Sequence, residues 1–156
     1  MNRALIIVVI FILDMNTSYA QSDDTNAVGL GGDNFVEDTA TLVGPSAKYF
    51  LEKAHAVQGE VMFESDLTTI TALYEYHGNI SIATGLKWFA GVGPSFLVYG
   101  DGYGTEIAIR PIAGLDYKIN GIPLALSLDW RPFLGFGSFL GNYAGAFGVG
   151  IRYVIK

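Results

Sequence analysis

The chain has 156 residues, the length of one domain, with 51% hydrophobic and only 15% charged residues. It contains no cysteine, which excludes disulfides, cysteine metal sites and thiol catalysis, and its formal net charge of -6 excludes a basic nucleic-acid footprint. Its mean hydropathy of +0.36 is high for a soluble domain, yet no apolar run reaches the roughly 18 residues of a transmembrane helix.

In chain order, the first predicted element is a targeting segment. Arg3 supplies a positive start, Ala4 to Leu13 is unbroken apolar sequence, and Ser18-Tyr19-Ala20 is a small-x-small cleavage site. The expected division is a signal peptide over 1–20 and one barrel domain over 21–156, with Gln21 as the new N-terminus. The alternative, a retained anchor, fails because the run is short and Asp14 interrupts it.

Period-two alternation recurs from about Asn26 onward. It predicts strands near 26–32, 40–50, 55–64, 68–77, 86–99, 106–119, 123–133 and 143–155. The clearest is Leu124 to Arg131: Leu124, Leu126, Leu128 and Trp130 share one face, and Ala125, Ser127, Asp129 and Arg131 the other. Phe147, Val149, Ile151, Tyr153 and Ile155 repeat the apolar face. Asn120-Gly121 is a two-residue hairpin signal, and Pro123 after it can open a strand. Pro94, Pro111 and Pro132 each remove a ladder donor and mark bulges or strand ends. Several runs have about ten residues, the length of a tilted membrane-crossing strand. The fold class expected is all-β: an eight-stranded antiparallel up-and-down transmembrane β-barrel, closed because lipid offers no partner to a free sheet edge.

If the Leu124/Leu126/Leu128/Trp130 face points outward, the same parity turns Lys48, Glu60, Glu75, Lys87, Arg110, Asp116, Asp129, Arg131 and Arg152 into the lumen. Those are five cations and four anions, near the balance that a narrow plugged lumen requires, because an unpaired buried charge costs several kcal/mol. A soluble barrel with an apolar interior is the alternative. It would need the sparsely charged Gly, Ala, Ser and Thr face to be its solvated exterior.

The segment from Tyr74 to Tyr153 resembles a family of small outer-membrane barrels common in Bacteroidetes. The resemblance rests on Leu73-Tyr74-Glu75-Tyr76-His77, Gly85-Leu86-Lys87-Trp88-Phe89-Ala90-Gly91-Val92-Gly93 and Gly114-Leu115-Asp116-Tyr117-Lys118-Ile119. Its most specific stretch is Ile122-Pro123-Leu124-Ala125-Leu126-Ser127-Leu128-Asp129-Trp130-Arg131-Pro132, with Gly150-Ile151-Arg152-Tyr153 at the end. It covers about half of the chain after Ala20. The resemblance implies an OmpX-like eight-stranded barrel in the bacterial outer membrane and carries over no catalytic residue. The partners it implies are outer-membrane lipid, lipopolysaccharide and the barrel assembly machinery, with the barrel a monomer. The chain departs from the family in ending Tyr153-Val154-Ile155-Lys156, where such barrels end on an aromatic residue that the assembly machinery reads.

With both chain ends on the periplasmic side, the outer loops are expected near 33–39, 64–67, 100–105 and 134–142. They hold Asp33, Glu37, Asp38, Glu64, Asp66, Asp101 and Glu106, with no Lys or Arg. These carboxylates suit weak Ca²⁺ or Mg²⁺ binding, or form a solvated rim, since their spacing matches no Ca²⁺ loop. Gly100-Asp101-Gly102-Tyr103-Gly104 lacks the Lys-Ser/Thr of a phosphate loop. Phe133, Leu134, Phe136, Phe139 and Leu140 make the fourth loop apolar, either an adhesive tip or a continuation of the flanking strands. Only His55 and His77 could serve a catalytic triad or a metal, and neither lies near Ser127 or Asp129 in sequence. No cofactor and no catalysis are expected. The readings are a non-enzymatic surface barrel for envelope integrity or loop-borne interaction, then a narrow transport pore, then a lipid A-modifying enzyme.

Overall fold

The structure, a computed structural model, describes residues 26–36, 40–100, 102, 104–137 and 141–155. The 1–20 targeting segment, Gln21, Glu37, Asp38, Asp101, Phe139, Leu140 and Lys156 lie outside the described residues. The strands are β1 (Ala27–Phe35), β2 (Ala40–Glu52), β3 (His55–Glu64), β4 (Leu67–Asn79), β5 (Leu86–Tyr99), β6 (Gly104–Lys118), β7 (Leu124–Trp130), β8 (Leu134–Gly135) and β9 (Ala146–Val154).

All pairings are antiparallel, and each strand from β1 to β6 pairs with the next in sequence. β6 pairs with β7 and, further along, with β8, so β7 and β8 are two pieces of one wall strand. β9 pairs with β7 on one side and with β1 on the other, which closes the sheet. The result is a closed eight-stranded up-and-down barrel. Closure pairs each long strand on both sides, and the short β8 is left at an edge, paired with β6.

The connections define two ends. The β2–β3, β4–β5 and β6–β7 connections lie at the turn end, with Asn26 and Ile155 joined there by a 2.7 Å backbone hydrogen bond. The β1–β2, β3–β4, β5–β6 and β8–β9 connections lie at the loop end. Three details differ from the sequence expectation. The Asn120-Gly121 signal sits in a wider turn, where Ile119 N–H donates to Leu124 C=O across four residues and Gly121 takes φ +83°. The seventh wall strand is not continuous over 123–133, because Pro132 has no N–H to donate. The eighth starts at Ala146, not 143, although Phe133 and Tyr143 still bridge across the gap.

Each strand separates two chemistries. The outward residues include Leu30, Val43, Ile70, Val92, Ile107, Leu126, Leu128, Val149 and Ile151, all exposed. Tyr49, Tyr74, Tyr76, Trp88 and Tyr153 point out toward the turn end, and Phe63, Phe96, Trp130 and Phe147 toward the loop end. The inward residues carry nearly all the strand charge, and every Arg among them is buried. Glycine makes room for this on β1 and β9. A Cβ on Gly148 would strike the Arg131 guanidinium, and one on Gly150 would meet Ser127 and Arg152.

Candidate functional site: the charged lumen

The lumen is built in tiers along the barrel axis. The loop-end tier is apolar. Phe35, Leu42, Met62, Leu97, Ala108, Phe133 and Ala146 form one buried cluster, with Leu67, Tyr99 and Tyr143 packed against it. Phe133 stacks on Phe35 at 5.2 Å between ring centroids, and Phe35 meets Tyr143 edge-on at 6.1 Å.

Below it lies an arginine tier. Arg131 bonds Asp129 in a bidentate pair formed by Nε and Nη2. Its Nη1 reaches across the lumen to Glu60 Oε2 at 2.6 Å and to Asp33 Oδ1 at 3.0 Å. Arg110 donates to Asp33 Oδ2 at 2.7 Å and to the Arg131 carbonyl at 3.2 Å, and its guanidinium lies 3.7 Å from the centre of the Phe133 ring. Arg152 donates to Gln58 at 2.9 Å, Ser127 at 2.9 Å and Ser46 at 3.1 Å, with Glu60 Oε1 at 3.9 Å. Gln58 donates to Glu60 Oε1 at 2.7 Å. Three guanidinium groups thus face three carboxylates, Asp33, Glu60 and Asp129, so the tier is neutral. Neutrality with near-complete hydrogen bonding is what makes charge tolerable away from water.

A second cluster lies toward the turn end. Lys48 Nζ contacts Glu75 Oε2 at 2.9 Å and Asp116 Oδ2 at 2.8 Å, over the Phe89 ring at 4.5 Å. His77 Nε2 shares the same Glu75 oxygen at 2.9 Å and lies between Phe50 and Phe89, at 4.9 and 5.3 Å. Lys87 lies 5.5 Å from the centre of the Phe50 ring. Glu75 Oε1, His77 Nδ1 and Arg110 Nε are buried with no hydrogen-bond partner in the protein.

The nine residues assigned to the lumen from parity, Lys48, Glu60, Glu75, Lys87, Arg110, Asp116, Asp129, Arg131 and Arg152, all lie on inward positions. Asp129 takes Arg131 as its partner, whereas Arg110 pairs with Asp33 and Arg152 with neutral side chains. Two acidic residues need correction. Asp33 is not in an outer loop: it is an inward residue of β1, 0% exposed and paired with two arginines. Gly31-Gly32-Asp33 has turn composition, but both glycines are strand positions: Gly31 clears space in the lumen beside Met62 and Glu60, and Gly32 lies between the outward Val43 and Val149. Glu106 likewise lies inside β6, 8% exposed, because the β5–β6 ladder continues to Tyr99 and Gly104. Glu64 ends β3 and Asp66 lies in the β3–β4 turn, so those two do lie at the loop end. His77, Ser46 and Gln58 were missed; the parity of Glu75, Lys48 and Glu60 on the same strands places each of them inward.

Among the described residues there is no nucleophile–base pair. His55 points outward, against Tyr74 Oη at 2.5 Å, and Ser127 is engaged by Arg152. Among the described residues no group of three His, Cys, Asp or Glu side chains is placed to hold a metal.

No protein-family model matches the chain, and no curated protein matches it in sequence. Solved structures do match in fold. The N-terminal β-barrel domain of Pseudomonas aeruginosa OprF superposes with a TM-score of 0.65 at 18% identity, covering 85% of this chain and all of that one. A chain from a structure titled "De novo design of transmembrane beta-barrels" superposes at 0.61 and 17% identity, covering 88% of this chain and all of that one. At such identities the likeness establishes the fold: the closed antiparallel barrel.

Proposed function

We propose that the protein is a small, non-enzymatic outer-membrane barrel, exported with cleavage after Ala20, that serves envelope integrity or surface interaction through its loop-end connections. One observation carries this reading: the barrel is inverted relative to a soluble one. Its paired charges are inside, and aliphatic side chains cover its outside between two aromatic girdles, the pattern of membrane barrels. A water-soluble barrel has no reason to bury three arginines and expose Leu128, Val149 and Ile151. The fold shared with the OprF domain supports the reading, and the Tyr74–Tyr153 motifs favour an OmpX-like barrel of Bacteroidetes type. In this reading the partners are outer-membrane lipid, lipopolysaccharide and the barrel assembly machinery. The loop end then faces outward, with Glu64 and Asp66 on its rim.

Neutral arginine and carboxylate tiers under an apolar tier favour a sealed barrel over a transport pore, and the two histidines, one outward against Tyr74 and one buried on Glu75, do not favour a lipid-modifying enzyme. The deciding experiment places spin labels at Leu126 and at Ser127 after reconstitution into liposomes. Leu126 should be far more accessible to dissolved oxygen than Ser127. Equal accessibility would sink the membrane reading.

A further inference from the structure

We propose that Phe133 is a removable stopper: the barrier to water in this lumen is the apolar loop-end tier, and Phe133 is the piece of it carried on an interrupted strand. The first support is completeness. The loop-end tier draws Phe35 from β1, Leu42 from β2, Met62 from β3, Leu67 from β4, Leu97 from β5, Ala108 from β6, Phe133 from the β7–β8 junction and Ala146 from β9. Every wall strand contributes an apolar residue, and two buried polar side chains sit among them: Thr69, across the ladder from Met62 and Leu97, and Glu106, across from Leu97. The other apolar clusters are arcs: Ala27, Ala125 and Val154 come from β1, β7 and β9, and Leu73, Phe89 and Ile112 from β4, β5 and β6. Lys48, Glu75, Asp116 and His77 interrupt that level. Three buried polar atoms without a hydrogen-bond partner in the protein, Glu75 Oε1, His77 Nδ1 and Arg110 Nε, lie on the turn-end side of this tier, where water can satisfy them, while the buried Glu106 carboxylate lies at its level.

The second support is how Phe133 is held. Pro132 precedes it and cannot donate to the ladder. β8, which follows it, has two residues and two register pairs, both with β6. Among the described residues, the N–H and C=O of Phe133 are both bonded to Tyr143, at 2.9 and 3.0 Å. Its ring, 0% exposed, is clasped between Phe35 and the Arg110 guanidinium. Phe133 is therefore paired across to Tyr143, while the segment that follows it is held to β6 by the short β8 ladder and by Phe136 N–H donating to Ile107 C=O at 3.2 Å. Three residues on, Phe136 is 74% exposed at the loop end. A pull on that exposed segment breaks few ladder bonds before it lifts the ring. Short, sparsely bonded segments of this kind supply the low end of local opening free energies. Withdrawal would expose Arg110 and the arginine tier from the loop end, converting a sealed barrel into one accessible to water and small ions.

The chain has no cysteine, so a single introduced thiol is a clean reporter. Ser95, 0% exposed, lies two residues below Leu97 on the same inward face of β5. Purified Ser95→Cys protein in detergent micelles should react slowly with a small cationic methanethiosulfonate reagent. Adding Phe133→Ala should speed labelling by roughly tenfold or more, while Phe133→Leu, which keeps an apolar plug, should leave it slow. Equal rates for Ser95→Cys with and without Phe133→Ala would overturn the proposal. If Phe133→Ala fails to fold, the native background decides. Thiols at Ala108 and at Ser95, which face each other across the β5–β6 ladder, should both be protected while one at Ala125, an inward residue near the turn end of β7, reacts; equal reactivity, or the reverse, overturns the location of the barrier. The proposal rests on the membrane reading only for its consequence. Labelling in micelles probes the lumen alone, so it can fail while the Leu126 oxygen-accessibility result stands, and the reverse.

Discussion

Arg131 is the residue on which the lumen converges. It takes carboxylates from β1, β3 and its own strand, and sequence parity alone could name only the last as a neighbour. Asp33 matters for the same reason, since it is shared by Arg110 and Arg131. Replacing Asp33 by Ala leaves two buried guanidinium groups one carboxylate short, and breaking a buried pair costs about 3–5 kcal/mol. The urea midpoint of refolded protein should fall accordingly. An unchanged midpoint would return Asp33 to a solvated rim. Glycine chemistry gives a second residue-scale prediction. A methyl at Gly148 runs into the Arg131 guanidinium, which its three carboxylates hold in place, so Gly148→Ala should destabilise by about 1–3 kcal/mol. A methyl at Gly59, on the outward face of β3, meets nothing within 4 Å. Gly59→Ala should therefore be neutral or stabilising by about 0.4–1 kcal/mol, through the lower entropy of the unfolded chain. Equal costs at the two sites would remove the claim that inward glycines clear space for arginine.

At the scale of the strand, β7 carries the sharpest contrast, with Leu126 and Leu128 exposed and Ser127 and Asp129 buried. Leu126→Arg should cost about 2–4 kcal/mol in lipid vesicles if the position is near the midplane, and much less in a purely aqueous setting. Denaturation from vesicles measures it, and a loss under about 0.5 kcal/mol would place β7 outside any hydrocarbon layer. Strands differed in how openly their sequences declared them, for a physical reason. β7 and β9 alternate large apolar residues with polar or glycine ones, so the period is written in side chains. In β1, Gly29, Gly31 and Gly32 carry no side chain to show it, and the strand was expected to end before Asp33. The break after Trp130 was only hinted at by Pro132, because a missing donor costs one bond and does not say whether the strand resumes. The inward set was legible for the same reason that β7 was: parity needs only local sequence. The partners were not. Arg131 and Glu60 are 71 residues apart, and which carboxylate meets which cation depends on strand tilt and stagger, which closure sets. His77 was hidden by its aromatic neighbours, although the parity of Glu75 includes it.

For the whole molecule, closure and charge act together. The barrel joins β1 to β9, the two ends of the described chain, and Asp33 on β1 then reaches Arg110 on β6 across the lumen. The ion pairs thus link wall strands that share no ladder, so they resist flattening of the barrel as well as stabilising local pairs. Because these charges are buried and mutually neutral, mobile salt has little access to them. Exposed pairs weaken once the Debye length shrinks to about 3 Å near 1 M salt, whereas buried ones are screened far less. The urea midpoint should therefore move little between about 0.05 and about 1 M NaCl. A large drop would mean that the lumen is hydrated enough for ions to enter. The same reasoning fixes the electrical behaviour of the unmodified barrel. An ion entering the lumen meets guanidinium groups already matched by carboxylates, and beyond them a mostly apolar tier in which Thr69 and Glu106 are buried among apolar side chains. Passage needs both unsatisfied polar groups along the path and room for water. The native barrel should give no discrete conductance steps in a planar bilayer, and neither should Phe133→Ala, which opens the loop-end tier but leaves the arginine tier matched by its carboxylates. Steps from the native barrel would show that the lumen is not sealed and would favour the narrow-pore function over the sealed one.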